Sequence, residues 1–339
     1  MASCLCYRGD TGWQVGQARL AQRGCRGVAY SPLGRQNTFE PLQLHDETVC
    51  KRKGRPPVPD SPIQQIVCCM GQPVAGNPTQ FMMERAFAAA GLDWRYLTLE
   101  VPPERLGDAI KGLRAMGFRG GNFAIPHKVA AIPFLDGLSE AAAVIGAVNC
   151  VHCRGEKLVG ENTDGKGFVQ SLRQVTDPSG KRVVMLGAGD AARAIAVELG
   201  LAGVAEIVVV NRTAERGRVL VDLLNEKEKV PARLVHLSGD YAVEDGFQIV
   251  INATSIGLGN FDARVPLNLD SLQLDMVVAD VVLNPPQTQL IRDAAARGCT
   301  TLDGLGMFVS QAMIAFKIWT GVEPDLGVMR EAIEEYLEI

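Results

Sequence analysis

The sequence predicts an α/β protein of two α/β domains, the C-terminal one a doubly wound parallel sheet. Three observations carry this. From Ile66 onward, short apolar runs alternate with segments of helical period, and glycines such as Gly91 and Gly117 close the helices. Strands separated by helices of that length need crossover connections and pair mostly in parallel. A second such series starts at Lys181, on a strand that runs straight into a glycine-rich turn and a helix.

Taken in order, Ile66 to Met70 reads as a strand, Phe81 to Ala90 as a helix, Trp94 to Leu99 as a strand and Pro103 to Met116 as a helix. Gly121 to Ile125 is a third strand, and Val148 to Val151 with Lys157 to Val159 form a hairpin or a pair of edge strands. In the second series, Arg182 to Leu186 is a buried strand, followed by a helix that ends near Gly200. Glu206 to Val210, Gln248 to Asn252, Met276 to Asp280 and Thr300 to Leu302 supply further strands. Helices over Met307 to Thr320 and Pro324 to Leu337 are expected to return to the first domain, making it discontinuous. The expected division is therefore an extension over 1–60, a substrate-binding and catalytic domain over 61–165 plus 305–339, and a dinucleotide-binding domain over 166–304.

With 339 residues, 47% hydrophobic and 21% charged, the chain has enough material for two domains that each bury a core. A net charge of -4 gives no reason to expect a nucleic-acid or anionic-membrane partner. No apolar run approaches the ~20 residues of a membrane span. The nine cysteines are odd in number and irregularly spaced, which points to reduced thiols and a cytoplasmic protein. Cys150 and Cys153 make a lone C-x-x-C with no second pair to complete a zinc site, and a strand there sends the two thiols to opposite faces. No metal is expected. Residues 1–60 are rich in Arg, Lys, Gly and Gln and lack both a sustained period and the apolar segment of a secretory signal. Asp10, Glu40, Asp46 and Glu47 count against a transit peptide. This stretch reads as a disordered extension, or as a start assigned upstream of the folded part, and no function is assigned to it.

The chemistry concentrates in Asn122-Phe123-Ala124-Ile125-Pro126-His127-Lys128 and Glu161-Asn162-Thr163-Asp164-Gly165. They supply a lysine and an aspartate, each at the end of an apolar segment, upstream of the glycine-rich turn. Reversible alcohol–ketone chemistry beside a nicotinamide needs one group to move a proton on oxygen while hydride moves on carbon. A second group must hold the first in place. An unperturbed lysine titrates near ~10.4. Lys128 is therefore expected to be poised by partial burial, with Asp164 orienting it and limiting how far its pKa falls.

Gly187-Ala188-Gly189-Asp190-Ala191-Ala192 matches G-x-G-x-x-A between a strand and a helix, the setting of a Rossmann-type dinucleotide site. The glycines permit a tight turn and let a pyrophosphate approach the helix N-terminus. NAD binders place Asp or Glu at the end of the next strand, whereas this chain has Asn211-Arg212-Thr213 with Arg216 one turn on. Arg212 can pair with a 2′-phosphate and Thr213 can donate to it, so NADP is the expected cofactor. Asp190 suits the helix dipole but crowds a pyrophosphate, an effect Arg193 offsets in part.

Seven motifs then occur in order: N-x-x-I-P-x-K at 122–128, G-A-V-N at 146–149, E-N-T-D-G at 161–165, G-A-G-x-A-A-R at 187–193, N-R-T at 211–213, N-A-T-S-x-G at 252–257 and D-G-L-G-M-x-x-x-Q at 303–311. In these the chain resembles the shikimate dehydrogenase family over roughly residues 66–337. The resemblance implies NADP-dependent interconversion of 3-dehydroshikimate and shikimate, in the chorismate pathway of aromatic amino acid biosynthesis, by a monomer or homodimer. It implies Lys128 as the proton-transfer residue, Asp164 as its partner at the reacting hydroxyl, and Asn149 and Gln311 on ring hydroxyls. Gly187 to Ala191 and Asn211 to Arg216 would hold the dinucleotide, with Val281 and Gly304 near the nicotinamide.

The chain departs from that pattern in one region. The family's first loop carries S-x-S-P, which grips the substrate carboxylate, and here Gly76-Asn77-Pro78-Thr79-Gln80 leaves Asn77 and Thr79 as the available donors. The threonine expected two residues after Asn122 is Ala124, and the tyrosine expected in the D-x-x-Y-x-P segment is Leu283. A lost hydrogen bond to a charged group is worth about 1.5–3 kcal/mol, so two losses weaken shikimate turnover by orders of magnitude. This resembles the divergent, shikimate-dehydrogenase-like branch, whose substrate is shikimate or a related cyclic polyol acid. The rival readings are a quinate/shikimate dehydrogenase using NAD, a cofactor-binding regulatory paralogue without turnover, and an amino-acid or tetrahydrofolate dehydrogenase of the same plan.

Overall fold

In the computed structural model the described residues are 63–339, together with the backbone of a short antiparallel ladder between Arg8–Gly9 and Gly12–Trp13. The reading of residues 1–60 as an unpatterned extension otherwise lies outside the described residues.

The first lobe begins with β1 (Gln65–Gly71), α1 (Thr79–Ala89), β2 (Trp94–Glu100), α2 (Leu106–Ala115) and β3 (Gly120–Phe123). After these come α3 (His127–Ala130), β4 (Gly137–Leu138), α4 (Glu140–Ile145), β5 (Cys150–Arg154) and β6 (Lys157–Glu161). Its six strands lie in the order β2-β1-β3-β5-β6-β4. β1 pairs in parallel with β2 and β3, while β5 is antiparallel to both β3 and β6, so the two candidate edge strands form a hairpin.

α5 (Thr163–Leu172) leads to the second lobe: β7 (Arg182–Leu186), α6 (Asp190–Leu201), β8 (Glu206–Asn211), α7 (Ala214–Leu223), β9 (Ala232–His236), β10 (Ile249–Asn252), β11 (Val277–Asp280), α8 (Gln289–Ala296) and β12 (Thr300–Leu302). Its sheet runs β9-β8-β7-β10-β11-β12 with every pairing parallel. Such a sheet is covered on both faces, which is why its central strands are continuously apolar. Val183, Val184 and Met185 are fully buried; Val183 and Met185 face Ile195 and Leu199 of α6, while Val184 faces Phe247, Met276 and Leu290.

Two helices close the chain, α9 (Gly304–Thr320) and α10 (Leu326–Leu337). Their apolar faces join the first lobe's core: Phe316 stacks on Phe87 of α1 at 5.1 Å between ring centroids, and Met329 and Ile333 bury beside Met82. The opposite face of that sheet is covered by Leu106, Ile110 and Leu113 of α2. Cys150 lies in the first of these cores and Cys153 against the second, as alternation along β5 requires.

Several boundaries differ from the sequence reading. β3 stops at Phe123 rather than Ile125, because Pro126 has no amide to donate to a ladder. α9 starts three residues early, at Gly304, because the Asp303 carboxylate accepts from the Gly306 amide at 3.3 Å and caps it.

Candidate active site

Lys128 sits in the single turn of α3 just beyond β3. That turn is anchored by His127, whose buried ring meets the Val101 carbonyl oxygen at 2.7 Å, and by the Val148 amide donating to the Lys128 carbonyl at 2.8 Å. Asp164 lies in the first turn of α5, where the positive end of the helix favours a carboxylate. The Asn162 side chain caps that helix by accepting from the Asp164 amide at 3.2 Å. Two glycines let α5 approach its neighbours. A Cβ at Gly165 would stand 2.2 Å from the Ala194 carbonyl oxygen, and one at Gly167 would stand 2.5 Å from the Gln311 amide.

These elements bring the two side chains together. The Lys128 ammonium donates to Asp164 Oδ2 at 2.6 Å, with the two side chains 27% and 19% exposed. Asp164 Oδ1 accepts from Asn149 Nδ2 at 2.8 Å. Asn149 is itself fully engaged: it also donates to Thr163 Oγ1 at 2.9 Å and accepts from the Thr163 amide at 2.7 Å. The carboxylate is thus fixed from both sides.

Burial draws the Lys128 pKa down, but the charge and hydrogen bond of Asp164 outweigh it, and Asp190 and Cys69 add to them. The net result is a pKa above the ordinary 10.5, where sequence reasoning expected a limited fall. A carboxylate 2.6 Å from the ammonium of a lysine whose side chain stays 27% exposed accounts for the sign.

A cavity of about 370 Å³ opens over this pair, lined from one lobe by Asn77, Thr79, Asn122, Lys128, Asn149 and Asp164, and from the other side by Val281, Leu283, Gly304, Met307, Phe308 and Gln311. All four expected substrate contacts therefore line one space. Asn77 donates from Nδ2 to Cys69 Sγ at 3.6 Å, and its Oδ1 accepts from the Thr79 backbone amide at 2.9 Å. Gln311 donates to the Phe308 carbonyl at 3.0 Å and accepts from Thr163 Oγ1 at 3.3 Å.

Sequence reasoning missed several lining groups. Asn122 donates to the Asn149 carbonyl at 3.0 Å and accepts from the Tyr96 hydroxyl at 2.8 Å, a phenol that burial pushes up and so keeps protonated. Cys69 lines the cavity too, its thiol pushed by burial up to about 11. Asn122 opens the N-x-x-I-P-x-K motif, so its signal was available; Tyr96 and Cys69 become neighbours only through β1–β2 pairing.

A second cavity, of about 450 Å³, adjoins the first and shares Ile125 and Val281 with it. It is lined by Gly187, Ala188, Gly189, Asp190, Ala191, Asn211, Arg212 and Arg216. Gly187 has φ +110, and a Cβ there would stand 2.8 Å from the Ala253 carbonyl oxygen, so only glycine fits the turn. Gly189 faces open space, and α6 begins there without a side-chain cap, which leaves its first amides free for a phosphate. Arg212 and Arg216 supply cations where a dinucleotide's second ribose would lie. The residues present fit a 2′-phosphorylated dinucleotide. Thr213 is exposed outside the lining, and Gly304 lines the first cavity rather than this one.

Fold and site together define a two-domain α/β protein with a dinucleotide-type loop opposite a lysine–carboxylate pair. Three family profiles match the chain: "Shikimate dehydrogenase substrate binding domain" over residues 69–151, "Shikimate / quinate 5-dehydrogenase" over 170–258 and "Shikimate 5'-dehydrogenase C-terminal domain" over 304–334. The shikimate dehydrogenase (NADP(+)) of Methanopyrus kandleri is 41% identical over 277 residues, which cover 80% of this chain and 96% of the relative. The chain belongs to the shikimate dehydrogenase family. Among solved structures, the 5-ketofructose reductase of Gluconobacter sp. strain CHM43 is 49% identical with a TM-score of 0.80, over 81% of this chain and 99% of the other. The Thermus thermophilus shikimate 5-dehydrogenase in complex with NADP(H) and shikimate is 33% identical with a TM-score of 0.70, over 81% and 100% of the two chains.

Proposed function

We propose that this protein is an NADP-dependent oxidoreductase acting on a CH–OH group, which interconverts 3-dehydroshikimate and shikimate or a close polyol analogue. The observation that carries the reading is the Lys128–Asp164 ion pair at 2.6 Å, in a cavity that adjoins the dinucleotide-type loop. NADP, when bound, supplies or accepts hydride at its nicotinamide ring. The chain's residues do the rest. Lys128, held protonated by Asp164, gives its proton to the ketone oxygen in reduction and takes it back in oxidation. Asp164 orients the ammonium and stabilises it, and Asn149 holds Asp164. Gln311, Asn77 and Thr79 contact the substrate's polar groups. Gly187, Ala188, Gly189, Asp190 and Ala191 cradle the pyrophosphate. Asn211, Arg212, Thr213 and Arg216 serve the 2′-phosphate side, with Val281 and Gly304 nearest the nicotinamide.

The absence of a carboxylate at the end of β8 weighs against the NAD-using quinate/shikimate reading, since Asn211 and Arg212 stand there. An ammonium poised against a carboxylate weighs against a paralogue without turnover. A cytoplasmic monomer or homodimer without nucleic-acid partners completes the reading; the described cysteines are unpaired, and no described helix is long and apolar enough to cross a membrane. The test is NADPH formation with shikimate and NADP, and NADPH consumption with the ketone, for wild type and Lys128→Ala. Loss of turnover in the variant is expected; equal rates would remove Lys128 from the chemistry.

A further inference from the structure

Resting on the oxidoreductase reading above, we infer that the substrate cavity selects an uncharged polyhydroxy ketone over a carboxylic acid. The cavity's charges are already balanced. Among the described residues that line it, Lys128 is the one cation and Asp164 the one anion, and they neutralise each other at 2.6 Å. An incoming carboxylate would lose its water and meet no free counter-charge, which is the unfavourable case for a buried anion.

The loop that the family resemblance assigns to the carboxylate brings an amide and a hydroxyl but no cation. Asn77 gives its amide to Cys69 Sγ, and its carbonyl oxygen binds the Thr79 amide, so the first backbone donor of α1 is taken from inside. Ala124, Leu283 and Phe308 pack against the apolar core behind the cavity and bring no donor to this wall. The cavity's polar side chains besides the ion pair, Asn77, Thr79, Asn122, Asn149 and Gln311, are all neutral. Amides and a hydroxyl both donate and accept, which matches sugar-type hydroxyls, whereas a carboxylate can only accept. One relative above, the 5-ketofructose reductase, is named for an uncharged keto-sugar.

In the reduction, the C=O π bond breaks. A C–H bond forms with hydride from NADPH, an O–H bond forms with the Lys128 proton, NADPH leaves as NADP+, and Lys128 recovers a proton from solvent.

The experiment compares ketones and matched ligands. NADPH-dependent kcat/KM is measured for 5-ketofructose and for 3-dehydroshikimate. Calorimetry, with no turnover, gives Kd for shikimate and for its neutral, near-isosteric carboxamide. The expected result is a kcat/KM at least about 100-fold higher for the keto-sugar, and a carboxamide that binds as tightly as the acid or tighter. Leu283→Arg supplies the missing cation and is expected to shift the acid-to-carboxamide Kd ratio at least about tenfold toward the acid. In the wild type, an acid that binds about tenfold more tightly than its carboxamide, or turnover of 3-dehydroshikimate alone, overturns the inference and leaves the oxidoreductase reading intact. Turnover of neither ketone overturns that reading, and the inference with it.

Discussion

Replacing Asp164 by asparagine removes one charge from the site with almost no change in shape. In the wild type, Asp164 accepts from Lys128 at 2.6 Å through one oxygen and from Asn149 at 2.8 Å through the other. An asparagine has a single acceptor oxygen, so one of the two donors must face an NH2 group. The lost charge-assisted bond is worth about 1.5–3 kcal/mol, which is about 10- to 150-fold in kcat/KM if that bond acts on the transition state. The pH dependence has a definite sign. Ketone reduction needs the protonated ammonium, and Asp164 holds the Lys128 pKa above the ordinary 10.5 against the pull of burial. The wild-type kcat/KM for reduction should therefore be flat through neutrality and decline only above the lysine range. In Asp164→Asn, burial is opposed only by the weaker pull of Asp190 and Cys69, so the decline moves to lower pH. The assay is NADPH oxidation by the ketone, followed from neutrality into the alkaline range for both proteins. Coincident declines, or an upward move in the variant, would refute the argument that Asp164 sets the protonation of Lys128.

Three further outcomes are expected. Gly165→Ala would drive a methyl into the Ala194 carbonyl, 2.2 Å from its ideal position, and destabilise the fold by about 1–3 kcal/mol; a denaturation midpoint equal to wild type would contradict this close approach. Arg212→Ala should raise the NADP Kd by about 10- to 150-fold through one lost charge-assisted bond while leaving the NAD Kd unchanged, and equal weakening of both would remove its phosphate role. Burial raises the Asp280 carboxyl above 3.8 despite its bonds to Val282, Asn252 and Thr288, so the folded state binds that proton more tightly than the unfolded chain. Stability should fall as pH rises from 3.8 through the raised value, and Asp280→Asn should flatten that part of a pH series of urea melts.

The second sheet was legible because a parallel sheet covered on both faces leaves continuous apolar runs, as in Arg182 to Leu186 and Gln248 to Asn252. The Lys128 and Asp164 segments were legible for a different reason: polar residues end apolar segments where a chain leaves its sheet. α5 was not legible. Its sequence, Thr163-Asp164-Gly165-Lys166-Gly167, begins with poor helix formers, and those glycines exist for packing against Ala194 and Gln311, a reason invisible along the chain. β9 was missed as well, since an edge strand is half exposed and carries a weak apolar signal. Within the site, the residues were identified more easily than their partners. Asn149 was expected on a substrate hydroxyl, yet its donors are spent on Thr163 and Asp164, an arrangement created by the β5–β6 hairpin meeting the start of α5.

α5 leaves the first lobe and α9 returns to it, and the two helices touch at Gly167 and Gln311. Asp164 and Gly165 open α5, and Gly165 packs against Ala194 of α6, the helix that follows the dinucleotide loop. The carboxylate that holds Lys128 is thus braced against the dinucleotide half, and Asp190 of that half acts on Lys128 as well, so the proton and hydride donors share one frame. Enlarging Gly165 would therefore perturb both transfers at once, and primary deuterium and solvent isotope effects should change together in that variant.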